Sequence, residues 1–457
     1  MIKSLALLSL AAQVAYSQST TETIHGAVIF SRHGDRTWKG APPTKLTTVG
    51  QNQLFNSGEY WRSRYLASGS QQQISGIDSN IYEPAQFSAA APNQALLVTS
   101  GQAFLQGLYP PTTVSETLAN GSSISPPLSG FQYAAISTIP DDSPETIWLK
   151  GDDSCPAYDY SVAQVSTSTQ FTDLEKSTKA FYESFYDRIF AGVLSADKMS
   201  YKNAFTIYDY INVGMVHNTT IHDAISSSEL TQLRTLADSH EFALSNGEAR
   251  SVSGRTLSAK ILNQLTSVID SKGSKNKLTL YIGSYDTFLS FFSLSGLSSS
   301  NADFTGLPDY ASAMSFELFS NSASFPAEKD LHVRFLFRNG TENGDAQAFP
   351  IFGGANTMAW TDFKAKMSDI ALATVQDWCG FCGSSDGFCL QYADTGILTG
   401  QSNGKELKPA VAGAIGALVA LNFVGIFVIL GIFFGLRIVR KSAAQVVQEK
   451  QFDQAAL

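Results

Sequence analysis

Two arginines flank a histidine directly after an apolar run near the start of the chain. The run from Ala27 to Phe30 has the composition of a buried strand, and Arg32, His33 and Arg36 follow it closely. A neutral imidazole is an effective nucleophile, and two fixed guanidinium groups can bind a phosphate dianion through charge-assisted hydrogen bonds. This spacing predicts attack by His33 on a phosphate held by Arg32 and Arg36.

The surrounding elements predict an α/β fold. Strand patterns cover Thr23–Ser31, Phe87–Ala91 and Leu278–Ser284, and Thr47 is placed to cap a helix that begins near Leu46. From about residue 120 to residue 265 helical patterns dominate. We therefore expect a mixed-sheet sandwich domain flanked by helices, formed by residues 18–120 and 265–398, with an inserted, mostly helical cap domain at residues 121–264.

Both termini indicate the secretory pathway. Residues 1–17 have the basic start, short apolar stretch and small-residue end of a signal peptide. A linker at 399–408 precedes residues 409–436, which contain no charged residue and are long enough to cross a bilayer. The basic residues that open the tail at 437–457 place that tail in the cytosol. The sequence predicts a single-pass type I membrane protein at the cell surface or in a vacuole-like compartment.

Charge and cysteine content narrow the class of protein further. The formal net charge of -9 disfavours nucleic acid as a partner, and a homo-oligomer remains possible. Behind a signal peptide, four cysteines favour two disulfides over a zinc site. Three of the four are clustered, so one bridge must join Cys155 to the cluster, although the pairing stays open; the cluster is Cys379, Cys382 and Cys389. Sequons at Asn120, Asn218 and Asn339 predict glycosylation of the same lumenal part.

Five segments in order resemble the histidine acid phosphatases, the branch of the histidine phosphatase superfamily that includes fungal phytases. The resemblance covers roughly residues 22 to 395, and its segments are Arg32–Arg36, Leu46–Gly50, Phe104–Pro110, Ser284–Thr287 and Met314–Leu318. It implies an α/β sheet domain with a mostly helical cap. It also implies that His33 forms a phosphohistidine, that Arg32 and Arg36 hold the phosphate, and that Asp286 protonates the leaving oxygen. No metal or other cofactor is implied, because the arginines neutralise the charge of the phosphate.

The chain departs from this family at two positions of the phosphate site. The family has an arginine near the position of Ala90 and a histidine before the late aspartate, where this chain has Tyr285. The Tyr285 hydroxyl could donate to a phosphate oxygen, but it carries no charge. Losing two cationic ligands would slow turnover by roughly four to six decades if their effects were independent.

Two functions therefore stay open on the sequence alone. One is hydrolysis of a small phosphorylated substrate through His33 and Asp286. The other is a catalytically impaired relative that binds an anionic ligand or a partner at the cell surface. Asp286 could also be only a helix cap, and the pair His240–Glu241 is expected to lie on a solvated helix face.

Overall fold

The computed structural model describes residues 22–393. Its strands are β1 Thr23–Arg32, β2 Phe87–Pro92, β3 Glu116–Thr117, β4 Ser123–Ile124, β5 Ser137–Ile139, β6 Leu278–Gly283, β7 Ala313–Ser320, β8 His332–Arg338, β9 Gln347–Ala348 and β10 Thr357–Ala359. Its helices are α1 Thr48–Tyr65, α2 Ala95–Leu108, α3 Pro127–Gly130, α4 Pro156–Val165, α5 Thr169–Glu183, α6 Ala204–His217, α7 Thr219–Ala224, α8 Ser227–Ser245, α9 Val252–Asp270, α10 Tyr285–Leu294, α11 Leu297–Ser300, α12 Trp360–Ile370, α13 Val375–Cys382 and α14 Leu390–Ala393.

A mixed sheet in the order β10-β8-β7-β1-β6-β2-β5 forms the centre of the fold, and β9 pairs with β8. Strand β1 runs parallel to β6 and antiparallel to β7. Both faces of β1 are covered, and its side chains alternate between two cores. Val28 and Phe30 face the core that contains α9, α10 and α12, whereas Ala27 and Ile29 face the core that contains α1 and α2. The predicted mixed α/β class is confirmed.

The helical segment lies between β5 and β6. Strand β5 pairs with β2 in the main sheet, so this segment begins later than the predicted boundary at residue 121. A strand of three residues is too short to leave a period in the sequence. Whether the segment is a separate cap domain stays a prediction.

The predicted signal peptide, linker, membrane span and cytosolic tail lie outside the described residues. Among residues 22–393, no helix is both long and apolar enough to cross a membrane.

Candidate active site

The strand order brings the predicted site residues to one edge of the sheet. Arg32 is the last residue of β1, and the neighbouring parallel strand β6 ends at Gly283, just before Tyr285 and Asp286 begin α10. The two strand ends are joined because the His33 N–H donates to the Gly283 carbonyl at 3.1 Å. Ligand sites in such sheets form at the carboxyl ends of parallel strands.

His33 is held as a neutral imidazole. Its ring lies 2.9 Å from the Gly34 carbonyl through Nδ1, which must therefore carry the proton, so Nε2 has the free lone pair. The side chain is buried, at 4% exposure. Burial, with Arg32 and Arg36 alongside, lowers the pKa of His33 well below its usual value. An unprotonated Nε2 is the form that can act as a nucleophile.

Arg32 is packed between aromatic rings. Its guanidinium lies 4.4 Å from the ring centre of Tyr310 and 5.3 Å from that of Tyr285. One terminal nitrogen donates to the Pro308 carbonyl. Arg32 Nε is buried and has no acceptor in the described part of the chain. Burial lowers the pKa of Arg32, and an anionic ligand would compensate for that cost.

Arg36 is already paired with an internal carboxylate. Its Nη1 donates to Asp209 Oδ2 at 2.9 Å, and the two side chains are only 2% and 3% exposed. The same oxygen accepts the backbone N–H of Lys39 at 3.0 Å. Asp209 lies on α6, 173 residues further along the chain, and sequence reasoning missed it.

Helix α6 is hydrogen-bonded to the loop that follows β1 and carries His33 and Arg36. Trp38 Nε1 donates to the Thr206 carbonyl near one end of the helix at 3.2 Å. At the other end, His217 Nε2 lies 2.6 Å from Asp35 Oδ2. Together with Asp209, these contacts hold the helical segment over the predicted phosphate site.

The Tyr285 hydroxyl, predicted to be a phosphate ligand, is used elsewhere. It donates to Glu241 Oε2 at 2.7 Å, and His240 Nδ1 lies 2.7 Å from the other oxygen of Glu241. The expectation that His240–Glu241 lies on a solvated helix face is wrong, since both residues are buried. The pair faces Tyr285 on one side and the rings of Phe171 and Tyr201 on the other, contacts that the sequence of α8 alone does not reveal.

The Asp286 carboxyl group interacts with a second carboxyl group, that of Asp152, and Asp286 Oδ1 is buried without a hydrogen-bond partner among the described residues. Burial and the Asp286 charge raise the pKa of Asp152 to about 7, and burial raises the pKa of Asp286. Ser253 Oγ donates to Asp152 Oδ1 at 2.6 Å and fixes its orientation. The pair therefore retains a proton at acid pH, and a general acid needs such a proton to donate to the leaving group.

The position near Ala90 holds no cation. Ala90 is half-buried in β2, between Tyr281 of β6 and Ser137 of β5, and it packs against the core. Lys39 supplies a cation near Tyr285. Its ammonium lies 5.8 Å from the ring centre of Tyr285, and its charge lowers the pKa of both His33 and Asp286.

Comparison with known protein families identifies the family of this chain. The model of the histidine phosphatase superfamily (branch 2) matches residues 9–338. The chain is a member of this superfamily. No curated protein sequence matches it.

Solved phytases share the fold of this chain. The structure of Klebsiella sp. ASR1 phytase is 12% identical, with a TM-score of 0.53 over 77% of this chain and 96% of that one. The apo phytase of Hafnia alvei is 13% identical, with a TM-score of 0.51 over 77% and 97%. The phytase of Citrobacter braakii is 13% identical, with a TM-score of 0.51 over 77% of this chain and 98% of that one. At these identities the likeness concerns the fold.

Two cavities lie on the α6 side of the predicted phosphate site. A cavity of about 280 Å³ is lined by Arg32 and Tyr310, and another of about 330 Å³ is lined by Lys39 and Tyr285. Phe205 and Asp209 line both cavities, and His33 lines neither. Phe205 also packs against Tyr285 at 4.9 Å between ring centres. Side chains of α6 therefore form part of both cavities.

Two disulfides connect the predicted cysteines. Cys155 bonds to Cys382, and Cys379 bonds to Cys389. The expected bridge between Cys155 and the cluster is confirmed. Within the described residues, no group of three or more His, Cys, Asp or Glu side chains could hold a metal ion.

The three sequons differ in their surroundings. Asn120 is exposed, and Asn218 caps α7. Asn339 is half-buried, and its Oδ1 accepts from the Asp309 N–H and from Ser312 Oγ. Their glycosylation stays a prediction.

Proposed function

We propose that this protein hydrolyses phosphomonoesters through a phosphohistidine on His33. The observation that carries the proposal is the buried ring of His33 at the sheet edge, which bonds to the Gly34 carbonyl through Nδ1, leaves Nε2 available and stands between Arg32 and Arg36 in the chain. The histidine phosphatase fold supports the same reaction class, and the solved relatives named above are phytases. The substrate is a small phosphorylated molecule whose identity the site does not specify.

The first step transfers the phosphoryl group to the imidazole. His33 Nε2 forms a bond to phosphorus while the ester P–O bond breaks, and Arg32 and Arg36 hold the oxygens on which charge develops. The Asp152–Asp286 pair gives its proton to the leaving oxygen through Asp286, so the alcohol departs neutral. In the second step Asp286 accepts a proton from water, which attacks phosphorus and restores His33.

A slow reaction is expected from the two family ligands that this chain lacks. Removal of one positioned donor to a developing oxyanion costs about 2.7–4 kcal/mol. Lys39 restores some positive potential, but Tyr285 gives its hydroxyl to Glu241. The alternative function, an impaired phosphatase that binds an anionic ligand or a partner, is favoured by the ion pair that occupies Arg36.

We also propose that this phosphatase works outside the cytosol as a type I membrane glycoprotein. Two disulfides fit an oxidising compartment. The apolar residues 409–436 and the signal-like residues 1–17 support the same topology.

Trapping of the covalent intermediate tests the catalytic proposal. The purified full-length chain is mixed with a 32P-labelled aryl phosphate from pH 3 to pH 7 and quenched in alkali, in which phosphohistidine survives. We expect label on the unmodified chain and none on His33→Ala. His222→Ala is the matched control, because His222 is an exposed histidine beside an aspartate. Equal labelling of the unmodified chain and His33→Ala would exclude the phosphatase and leave the binding function.

A further inference from the structure

We propose that Asp209 is a resident competitor for the phosphate position, so that a tetrahedral oxyanion binds only by displacing its carboxylate from Arg36. The proposal deepens the proposed function and rests on it for the identity of the ligand. It also assigns a donor to the anion subsite, the backbone N–H of Lys39.

The contacts of Asp209 are those that a bound oxyanion would make. One oxygen, Oδ2, accepts from Arg36 Nη1 at 2.9 Å and from the Lys39 N–H at 3.0 Å. A guanidinium and a backbone amide that converge on one oxygen form a typical phosphate cradle. Because the ion pair is almost fully buried, it is screened little by solvent, and a ligand must replace it rather than add to it.

The position of Asp209 relative to the cavities supports displacement. Asp209 and Phe205 form a common wall between the cavity at Arg32 and the cavity at Lys39. Removing this wall would open one continuous space from Arg32 to Lys39. Helix α6 contributes both side chains, so one movement of this helix or two changes of rotamer would clear the cradle.

The electrostatics of the site favour a phosphate dianion over the Asp209 carboxylate. A phosphate dianion carries more charge than a carboxylate, and Arg32 Nε is a buried donor without an acceptor among the described residues. A tetrahedral ligand could use both arginines, whereas Asp209 pairs with Arg36 and not with Arg32. Phosphoryl ligands should therefore bind in preference to carboxylate ligands. A carboxylate ligand would only take the place of the Asp209 carboxylate, with no gain in charge.

Calorimetric titration with inorganic phosphate tests this proposal without turnover. In the full-length chain, Asp209→Asn removes the charge and keeps an acceptor for the Lys39 N–H. We expect its affinity for phosphate to rise by about tenfold to a hundredfold, the scale of one charge-assisted hydrogen bond. Adding Arg36→Ala to Asp209→Asn should abolish this gain. Glu229→Gln, which removes an arginine-paired carboxylate at the protein surface, should leave the affinity unchanged.

The unmodified chain provides a second measurement. Trp38 is bonded to the Thr206 carbonyl of α6 and packs edge-on against Tyr210, at 5.0 Å between ring centres. Phosphate that displaces Asp209 should change the tryptophan emission in a saturable way, and Trp38→Phe should remove that change. Unchanged or weaker phosphate binding in folded Asp209→Asn overturns the proposal, as does emission that stays constant at saturating phosphate.

These outcomes are separable from a failure of the catalytic proposal. Tighter phosphate binding in Asp209→Asn without any label on His33 would support the competitor and exclude the phosphatase. Label on His33 with unchanged phosphate affinity in Asp209→Asn would support the phosphatase and exclude the competitor.

Discussion

The carboxyl groups of Asp152 and Asp286 interact across the fold, although one follows β5 and the other lies in the first turn of α10. Two interacting buried carboxyl groups cannot both ionise without a large cost, so the folded chain holds a proton that the unfolded chain releases near pH 4. This interaction links the helical segment to the start of α10 and also supplies the predicted general acid.

The shared proton predicts a loss of stability as the pH rises. The folded-state pKa of each partner is raised, that of Asp152 to about 7, so the stabilisation is complete below about pH 4 and is lost as the pH approaches 7. Asp152→Asn should reduce this dependence, leaving the part due to the burial of Asp286, and gain on the order of 2 kcal/mol in the free energy of unfolding at pH 7. Urea unfolding from pH 4 to pH 8 measures it.

An exposed aspartate outside this cluster gives a matched control for that substitution. Asp223 lies beside His222, and its side chain is 80% exposed. Asp223→Asn should retain the slope between pH 4 and pH 7. An Asp152→Asn variant with the slope of the unmodified chain would contradict the shared proton.

His25 predicts a pH dependence of the opposite sign. The residue is buried, with its Nε2 2.8 Å from Ser320 Oγ, and burial with Lys277 nearby lowers the pKa of His25 to about 4. The unfolded chain binds this proton near pH 6.5. Stability is therefore complete above pH 6.5 and falls toward pH 4, with a contribution from His25 on the order of 2 kcal/mol.

His25→Gln tests this contribution because it retains a polar partner for Ser320 and cannot titrate. The loss of unfolding free energy between pH 6.5 and pH 4 should shrink in this variant. His222→Gln, at an exposed histidine, should behave like the unmodified chain. If His25→Gln lost as much unfolding free energy between pH 6.5 and pH 4 as the unmodified chain, other groups would be responsible for that loss.

The sequence alone could locate the site residues that are close together in the chain. Arg32, His33 and Arg36 are close in the chain and follow a strand, so their position needed only one element and its end. Thr47 was also predictable as a helix cap, and its side chain accepts the Gly50 N–H. Asp209 and Asp152 could not be found this way, because their partners are set by how the helical segment packs on the sheet. The same packing buries Glu241 against Tyr285.

The two disulfides should differ in their effect on stability. The bridge from Cys155 to Cys382 spans 227 residues, and that from Cys379 to Cys389 spans 10. Because a longer closed loop restricts the unfolded chain more, losing the first bridge should cost about 2–3 kcal/mol more than losing the second. The pair of double variants, Cys155→Ala with Cys382→Ala and Cys379→Ala with Cys389→Ala, is compared by urea unfolding. Equal losses would show that loop closure does not set the difference.

The close approach of Gly34 to Gly50 predicts that the motif glycine tolerates no side chain. A Cβ on Gly34 would lie 2.5 Å from the Gly50 carbonyl oxygen at the start of α1, and backbone cannot turn aside as a side chain can. Gly34→Ala should cost about 1–3 kcal/mol in the free energy of unfolding and also weaken phosphate binding, because it displaces the residue that orients His33. Gly387→Ala is the matched control, since a Cβ there meets no atom within 4 Å. Thermal unfolding and phosphate titration of both variants measure the effect, and a Gly34→Ala variant as stable as Gly387→Ala would contradict the tight packing that holds the nucleophile against α1.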